Sequence, residues 1–182
     1  MSYKDCRISR LAASQKALEK YVRARAAISP DDRIAVVSFS TSARIDMPLT
    51  GISKAEGIIP VVMKLKGDGG TDIATGIETA GILLNDAMTN DGIRRLQRIL
   101  LLTDGRGGSP LSIANEVKSR GVLIDVIGIG GKPSAVDETL LRWVATTDAD
   151  GFNHYWFIKD ADSLVQHYQQ LATSLVWRPG PR

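Results

Sequence analysis

Cysteine is nearly absent from this 182-residue chain, which holds one, Cys6. An internal disulfide framework is therefore excluded, and a reducing, cytoplasmic setting is the expectation. No apolar run approaches the ~20 residues a membrane span needs. The opening Met1–Arg7 segment is polar and unlike a signal peptide. Neither sign of charge dominates: 23 basic and 20 acidic residues are interspersed and leave a net +3, so no nucleic-acid partner is expected. Aromatics make up only 5%; Trp143, Tyr155, Trp156, Phe157 and Trp177 read as core or edge packing rather than a base-stacking platform. Repeats, low-complexity tracts and linkers are missing as well. One domain over residues 1–177 is expected, with 178–182 as a flexible tail.

What is present is an alternation of helical and strand patterns. Residues 7–28 place Ile8, Leu11, Leu18 and Val22 at helical spacing, and Pro30 ends that helix. RIAVVSFS (33–40) reads as a buried strand, and Ala43–Leu49 alternates as a half-buried, antiparallel edge strand after a tight turn. Lys54–Lys64 predicts a short helix weakened by Gly57 and Pro60. A glycine-rich loop then opens a helix over 72–88 with Ile73, Ile77, Ala80, Leu84 and Met88 on one stripe. LQRILLLT (96–103) and VLIDVIGI (122–129) predict buried strands, separated by a helix over 110–120. A helix over 136–147, a strand over 153–158 and a helix over 161–176 complete the pattern. The fold class is α/β, with a Rossmann-like, mostly parallel sheet and helices on both faces.

Ligands of such sheets bind at the carboxyl ends of strands. Two loops there carry hard oxygen ligands beside glycines: Gly69-Gly70-Thr71-Asp72 and Thr103-Asp104-Gly105. A hydroxyl from Thr71 and a carboxylate from Asp104 suit Mg²⁺, which keeps several waters and takes one or two carboxylates. Turn and helix capping by the same residues is the alternative.

RIAVVSFSTSA, GGTD, LQRILLLTDG and VLIDVIGIG, in this order, resemble the von Willebrand factor A (VWA), or integrin I-like, domain. The resemblance covers nearly the whole chain. It implies a metal-ion-dependent adhesion site (MIDAS) holding Mg²⁺ or Mn²⁺, with Thr71 and Asp104 as metal ligands. It also implies a partner-binding rim at Gly69, Gly70, Asp72, Gly105 and Arg106, where a partner's Asp or Glu completes the metal shell. One departure stands out. The family's first strand, with its Asp-x-Ser-x-Ser motif, has no counterpart here, and in the family's strand order that strand is central. The expectation is weak or absent Mg²⁺ binding by this chain. The central strand is expected from an earlier start or from another copy, as in a homo-oligomer or strand-swapped dimer; alternatively the two strands that would flank it close up.

The implied function is a bacterial-type protein–protein interaction module rather than an enzyme, of a kind found beside AAA+ ATPases or in complex assembly. A metal-independent assembly subunit is the alternative. A metal-assisted phosphate- or nucleotide-handling hydrolase is the less favoured one, lacking a second carboxylate or a phosphate loop. Pro133 breaks a GxGxxG fingerprint around Gly128–Gly131, and Lys159 occupies the last ligand position of a calcium loop begun at Asp148. His154 and His167 are expected at the surface, leaving Cys6 without a partner base.

Overall fold

The computed structural model describes residues 3–66, 70–91 and 95–174. Helix α1 spans Tyr3–Ile28, strand β1 Arg33–Phe39 and β2 Ala43–Gly51. A 3-10 turn at Ile52–Lys54 leads into α2 (Ala55–Met63), followed by α3 (Ile73–Asp91), β3 (Arg98–Thr103) and α4 (Leu111–Ser119). Then come β4 (Leu123–Ile129), a 3-10 turn at Pro133–Ala135, α5 (Glu138–Val144), β5 (Tyr155–Ile158) and α6 (Ala161–Ser174). Each expected element forms, with ends shifted by a few residues. The largest change is α5, expected over 136–147. Its start is set by Asp137, whose side chain accepts the Leu140 N–H at 3.0 Å. Its end is set by Thr146, which turns back so that its hydroxyl accepts the Ile124 N–H at 2.9 Å. No described helix is long and apolar enough to cross a membrane. The proposed tail, residues 178–182, lies outside the described residues, as does Trp177.

The chain forms two compact units. The first is helical: residues up to Ile34, Leu49–Lys66 and the segment from Ala161. Ala13, Ala17, Tyr21 and Val22 of α1 are buried, as are Leu164, Tyr168, Leu171 and Ala172 of α6. The rings of Tyr21 and Tyr168 meet edge to face at 6.0 Å. Helix α2 persists through Pro60 because Ile58 and Val62 are fully buried, and packing of an amphipathic face outweighs propensity. The Gln15 side chain donates to the carbonyls of Met63 and Leu65 just beyond it. Arg25 is buried. Its Nε pairs with Asp32 at 2.5 Å and a guanidinium nitrogen donates to the Ala172 carbonyl at 3.1 Å.

The second unit, Ala35–Pro48 and Gly67–Asp160, holds the parallel sheet. Its strand order is β3-β4-β5, with Leu101 opposite Val126 and Val126 opposite Tyr155. Strand β4 lies in the middle and is buried from Ile124 to Gly128. Ile99 and Leu101 of β3 and Ile124 and Val126 of β4 share one face. They form a core with Ile73 and Ile77 of α3, Ala114 and Val117 of α4, and Leu141 and Val144 of α5.

Strands β1 and β2 form a separate two-stranded sheet joined by a turn in which the Ser40 N–H meets the Ser42 carbonyl. Full burial was expected for β1 and β3, and it is not found. In β1 only Val36 is buried, and in β3 Ile99, Leu101 and Thr103 alternate with half-buried Arg98, Leu100 and Leu102. The reason lies in the pairing: among the described residues β1 has a ladder only with β2 and β3 only with β4. A strand with one open edge keeps part of each side chain in water.

Arg25→Ala removes two hydrogen bonds from a charged donor, so a loss of about 2 kcal/mol is expected in denaturant unfolding. A change below ~0.5 kcal/mol would show that Arg25 only lines the helix surface.

Candidate functional site

Three segments meet at the carboxyl end of β3. The end of β1 contributes Ser40, whose carbonyl accepts the Asp72 N–H at 2.5 Å. A side chain at Gly70 would meet the Thr41 methyl at 3.1 Å, and one at Gly76 the Phe39 ring at 2.8 Å. The glycine loop and the start of α3 are thus set against the end of β1.

The loop after β3 is shaped by its own polar groups. The buried Thr103 hydroxyl accepts the Gly105 N–H, and the Asp104 Oδ1 accepts the Arg106 N–H, each at 3.1 Å. These are short-range turns of the kind Thr and Asp favour. The Asp104 carbonyl also accepts the Asp137 N–H, tying the loop to the start of α5.

Gly107 and Gly108 then bring this loop onto the glycine loop. Gly107 has φ +135°, and a Cβ built there would overlap the Thr71 carbonyl. Gly108 has φ +73°, and a Cβ there would lie 2.7 Å from the Asp72 Oδ1. Only a residue without a side chain permits this approach. The structure therefore brings the Thr71–Asp72 and Asp104–Gly108 loops together. Gly69 lies outside the described residues.

The other expected site residues take definite roles. Asp72 caps α3, its Oδ1 accepting the N–H groups of Ala74 (3.0 Å) and Thr75 (3.4 Å). Gly105 is buried beneath Leu141 with φ +77°. Arg106 is exposed, but its Nε donates to the Ala135 carbonyl (3.1 Å) and a terminal nitrogen to the Ser134 carbonyl (3.2 Å). Thr71 and Asp104 are half-buried. The Thr71 hydroxyl makes no hydrogen bond among the described residues.

This set does not fit a resident divalent ion by itself. It offers one hydroxyl and one carboxylate, and the second loop carboxylate is committed to the helix cap. Among the described residues no group of three or more His, Cys, Asp or Glu could hold a metal. A hard cation would need further oxygens beyond these two.

A second polar cluster lies toward the amino end of the sheet, about 10 Å along the strands from the Asp104 loop. Asp125 of β4 is fully buried and held by both nitrogens of an Arg98 fork and by His154 Nδ1 at 2.8 Å. Burial alone would raise the Asp125 pKa; the hydrogen bonds and charges of Arg98 and His154 outweigh it and hold the carboxyl below its ordinary value. The hydrogen bond to Asp125 raises the His154 pKa, burial opposes it, and a bond to Asp148 at 3.0 Å raises it further.

This corrects the expectation of a surface histidine: His154 is 8% exposed. The available signal was Asp125, a carboxylate inside the apolar run VLIDVIGI, which has to be paired when the strand is buried. Trp143 is the opposite correction. Expected to pack, it is 68% exposed at the end of α5, where Leu141 and Val144 face the core.

Gly107→Ala should destabilise the chain more than Gly151→Ala. Both backbones have positive φ, which costs an L-residue about 1–2 kcal/mol, but only position 107 also meets a neighbouring backbone. Equal midpoints in denaturant unfolding would mean the two loops part freely.

A family model for the von Willebrand factor type A domain matches residues 7–170. The uncharacterized protein YfbK of Escherichia coli (strain K12) is 28% identical over 169 residues, covering 88% of this chain and 27% of YfbK. The chain spans only 11% to 27% of the curated relatives it matches. Among solved structures, a von Willebrand factor type A protein from Catenulispora acidiphila superposes with a TM-score of 0.71 at 18% identity, covering 92% of this chain and 38% of that one. Proximal thread matrix protein 1 from the mussel byssus, in a form with a zinc-occupied MIDAS motif, gives 0.69 at 19% identity, covering 88% of this chain and 42% of that one. These structures share the α/β architecture of parallel sheet and helices described above. The chain belongs to the von Willebrand factor type A domain family.

Proposed function

We propose that this chain is a protein–protein interaction module that receives a partner at the carboxyl end of β3, where the loops carrying Thr71 and Asp104 meet. The observation that carries the reading is the contact of Gly107 with the Thr71 carbonyl, which holds a hydroxyl loop and a carboxylate loop in one surface. An acidic side chain of the partner bridges to this surface through Mg²⁺ or Mn²⁺. With Thr71 and Asp104 supplying two of the ligands, the ion binds together with the partner rather than before it. Gly70, Asp72 and Arg106 form the surrounding rim, and Gly105, expected there too, is buried behind it beneath Leu141. An AAA+ ATPase or a subunit of a larger complex is the kind of partner proposed. A hydrolase reading has less support, since Asp72, the other carboxylate of these loops, is engaged in capping α3.

A second reading draws on the separate sheets. Strands β1 and β3 each have one ladder neighbour, and α3 packs on both: Phe39 of β1 lies over Gly76, and Ile73 and Ile77 share a core with Ile99 and Leu101. Open strand edges pair readily with an added strand. In this reading the chain completes its sheet with an extended segment, supplied by another copy in a strand-swapped oligomer, and acts in assembly without a metal.

Calorimetry with Mg²⁺ alone is expected to give no binding in the micromolar range; micromolar affinity would overturn the shared-ligand reading. Selection from a displayed library of Asp- and Glu-containing peptides with Mg²⁺ present should yield binders that Thr71→Val and Asp104→Ala each weaken by about tenfold or more, and that a chelator releases. Binders indifferent to both substitutions and to chelation would refute the site. Light scattering separates the second reading, which requires a dimer or larger species.

A further inference from the structure

Both ring nitrogens of His154 face carboxylate oxygens: Nδ1 meets Asp125 Oδ1 at 2.8 Å and Nε2 meets Asp148 Oδ2 at 3.0 Å. A neutral imidazole has one N–H and one lone pair, so it can satisfy only one of the two. The imidazolium has two donors and satisfies both. The arrangement therefore requires a proton, whichever tautomer is drawn for the neutral ring.

The two carboxylates are not equivalent. Asp125 is fully buried and has the Arg98 guanidinium on its other side. Leaving it short of a donor costs the full penalty of a buried charge. The Asp148 side chain is 44% exposed and can exchange His154 for water. When the ring loses its proton, the N–H that remains stays on Asp125 and the Asp148 contact is the one given up.

Asp148 stands at the start of the turn before β5. Its N–H donates to the Phe152 carbonyl at 2.8 Å, and its carbonyl accepts the Gly151 N–H at 2.9 Å. An isolated antiparallel bridge between Thr147 and Asn153 closes the turn. The turn carries Phe152, which is half exposed and packs edge-on against His154 at 5.3 Å and beside Trp156 at 6.1 Å. Trp156 also meets the His154 ring at 6.0 Å. The charged groups recorded around His154 are thus Asp148 from the turn, Asp125 from β4 and, through Asp125, Arg98 from β3.

We propose that His154 is a proton-operated latch: charged, it clamps the 147–153 turn and its Phe152 ring onto the sheet through Asp148; neutral, it releases them. The raised His154 pKa agrees with this arrangement, as its two carboxylate hydrogen bonds favour the charged ring. Since the folded pKa is raised above the unfolded one, the stabilising effect is complete below the unfolded value and is lost as pH rises through the folded value.

The test uses the whole chain and two readouts. Proton NMR of the His154 ring should give a midpoint above the ordinary ~6.5. Hydrogen-exchange protection of the Asp148 and Gly151 amides should fall by about tenfold across that midpoint, while the Ala114 amide in α4 stays unchanged. Asp148→Asn, a half-exposed substitution, should lower the midpoint. It should also give the turn, at low pH, the weaker protection the parent chain reaches only at high pH. A His154 midpoint at or below the ordinary value would overturn the latch. So would pH-independent protection of the turn, or an unmoved midpoint in Asp148→Asn.

Discussion

Strand β4 carries a carboxylate, Asp125, with no exposure to water, and the neighbouring strands supply its counter-charges. Arg98 at the start of β3 reaches it as a two-pronged donor and His154 just before β5 reaches it from the other side. Leu100 lies directly opposite Asp125 and Arg98 is paired with Leu123, so Arg98 reaches the carboxylate diagonally across the ladder, while His154 precedes Tyr155, the first paired residue of β5. An unpaired charge at this depth would cost more than the sheet's neighbouring apolar contacts return. The order β3-β4-β5 therefore brings the charge and its counter-charges together as well as the apolar faces. A slip of one residue would turn Asp125 to the opposite face and into the core of Ile99, Leu101 and Val144.

The opposite end of the same strands has a different logic. There the backbone rather than a charge decides the geometry. Gly105, Gly107 and Gly108 all have positive φ, and two of them press against the Thr71–Asp72 loop. The glycines bring two separate loops into contact. Polar groups on these loops serve the fold. Asp72 caps α3, and Arg106 is folded onto the carbonyls of Ser134 and Ala135.

Strands β1 and β3 express a third constraint. Their sequences are apolar enough for the interior of a sheet, yet among the described residues each has a ladder on one side only. Half-burial of Leu100, Leu102 and Val37 follows from that pairing, because a side chain on an open-edged strand lacks the neighbour that would shield it.

The sequence by itself determined the order of helices and strands, the α/β class, the core stripe of α3 and the two glycine-flanked loops with Thr71 and Asp104. Periodicity and glycine placement are local properties, so they can be read one segment at a time. It also contained an unread clue in Asp125, whose partners could not be named because Arg98 and His154 lie 27 and 29 residues away along the chain. Tertiary structure alone decided that Gly107 touches the Thr71 carbonyl, that His154 is buried between two carboxylates, that Trp143 points to solvent, and that β1 and β3 keep open edges. Each of these depends on which distant segments meet, and that is settled by packing and charge pairing across the folded chain rather than by the pattern of any one segment.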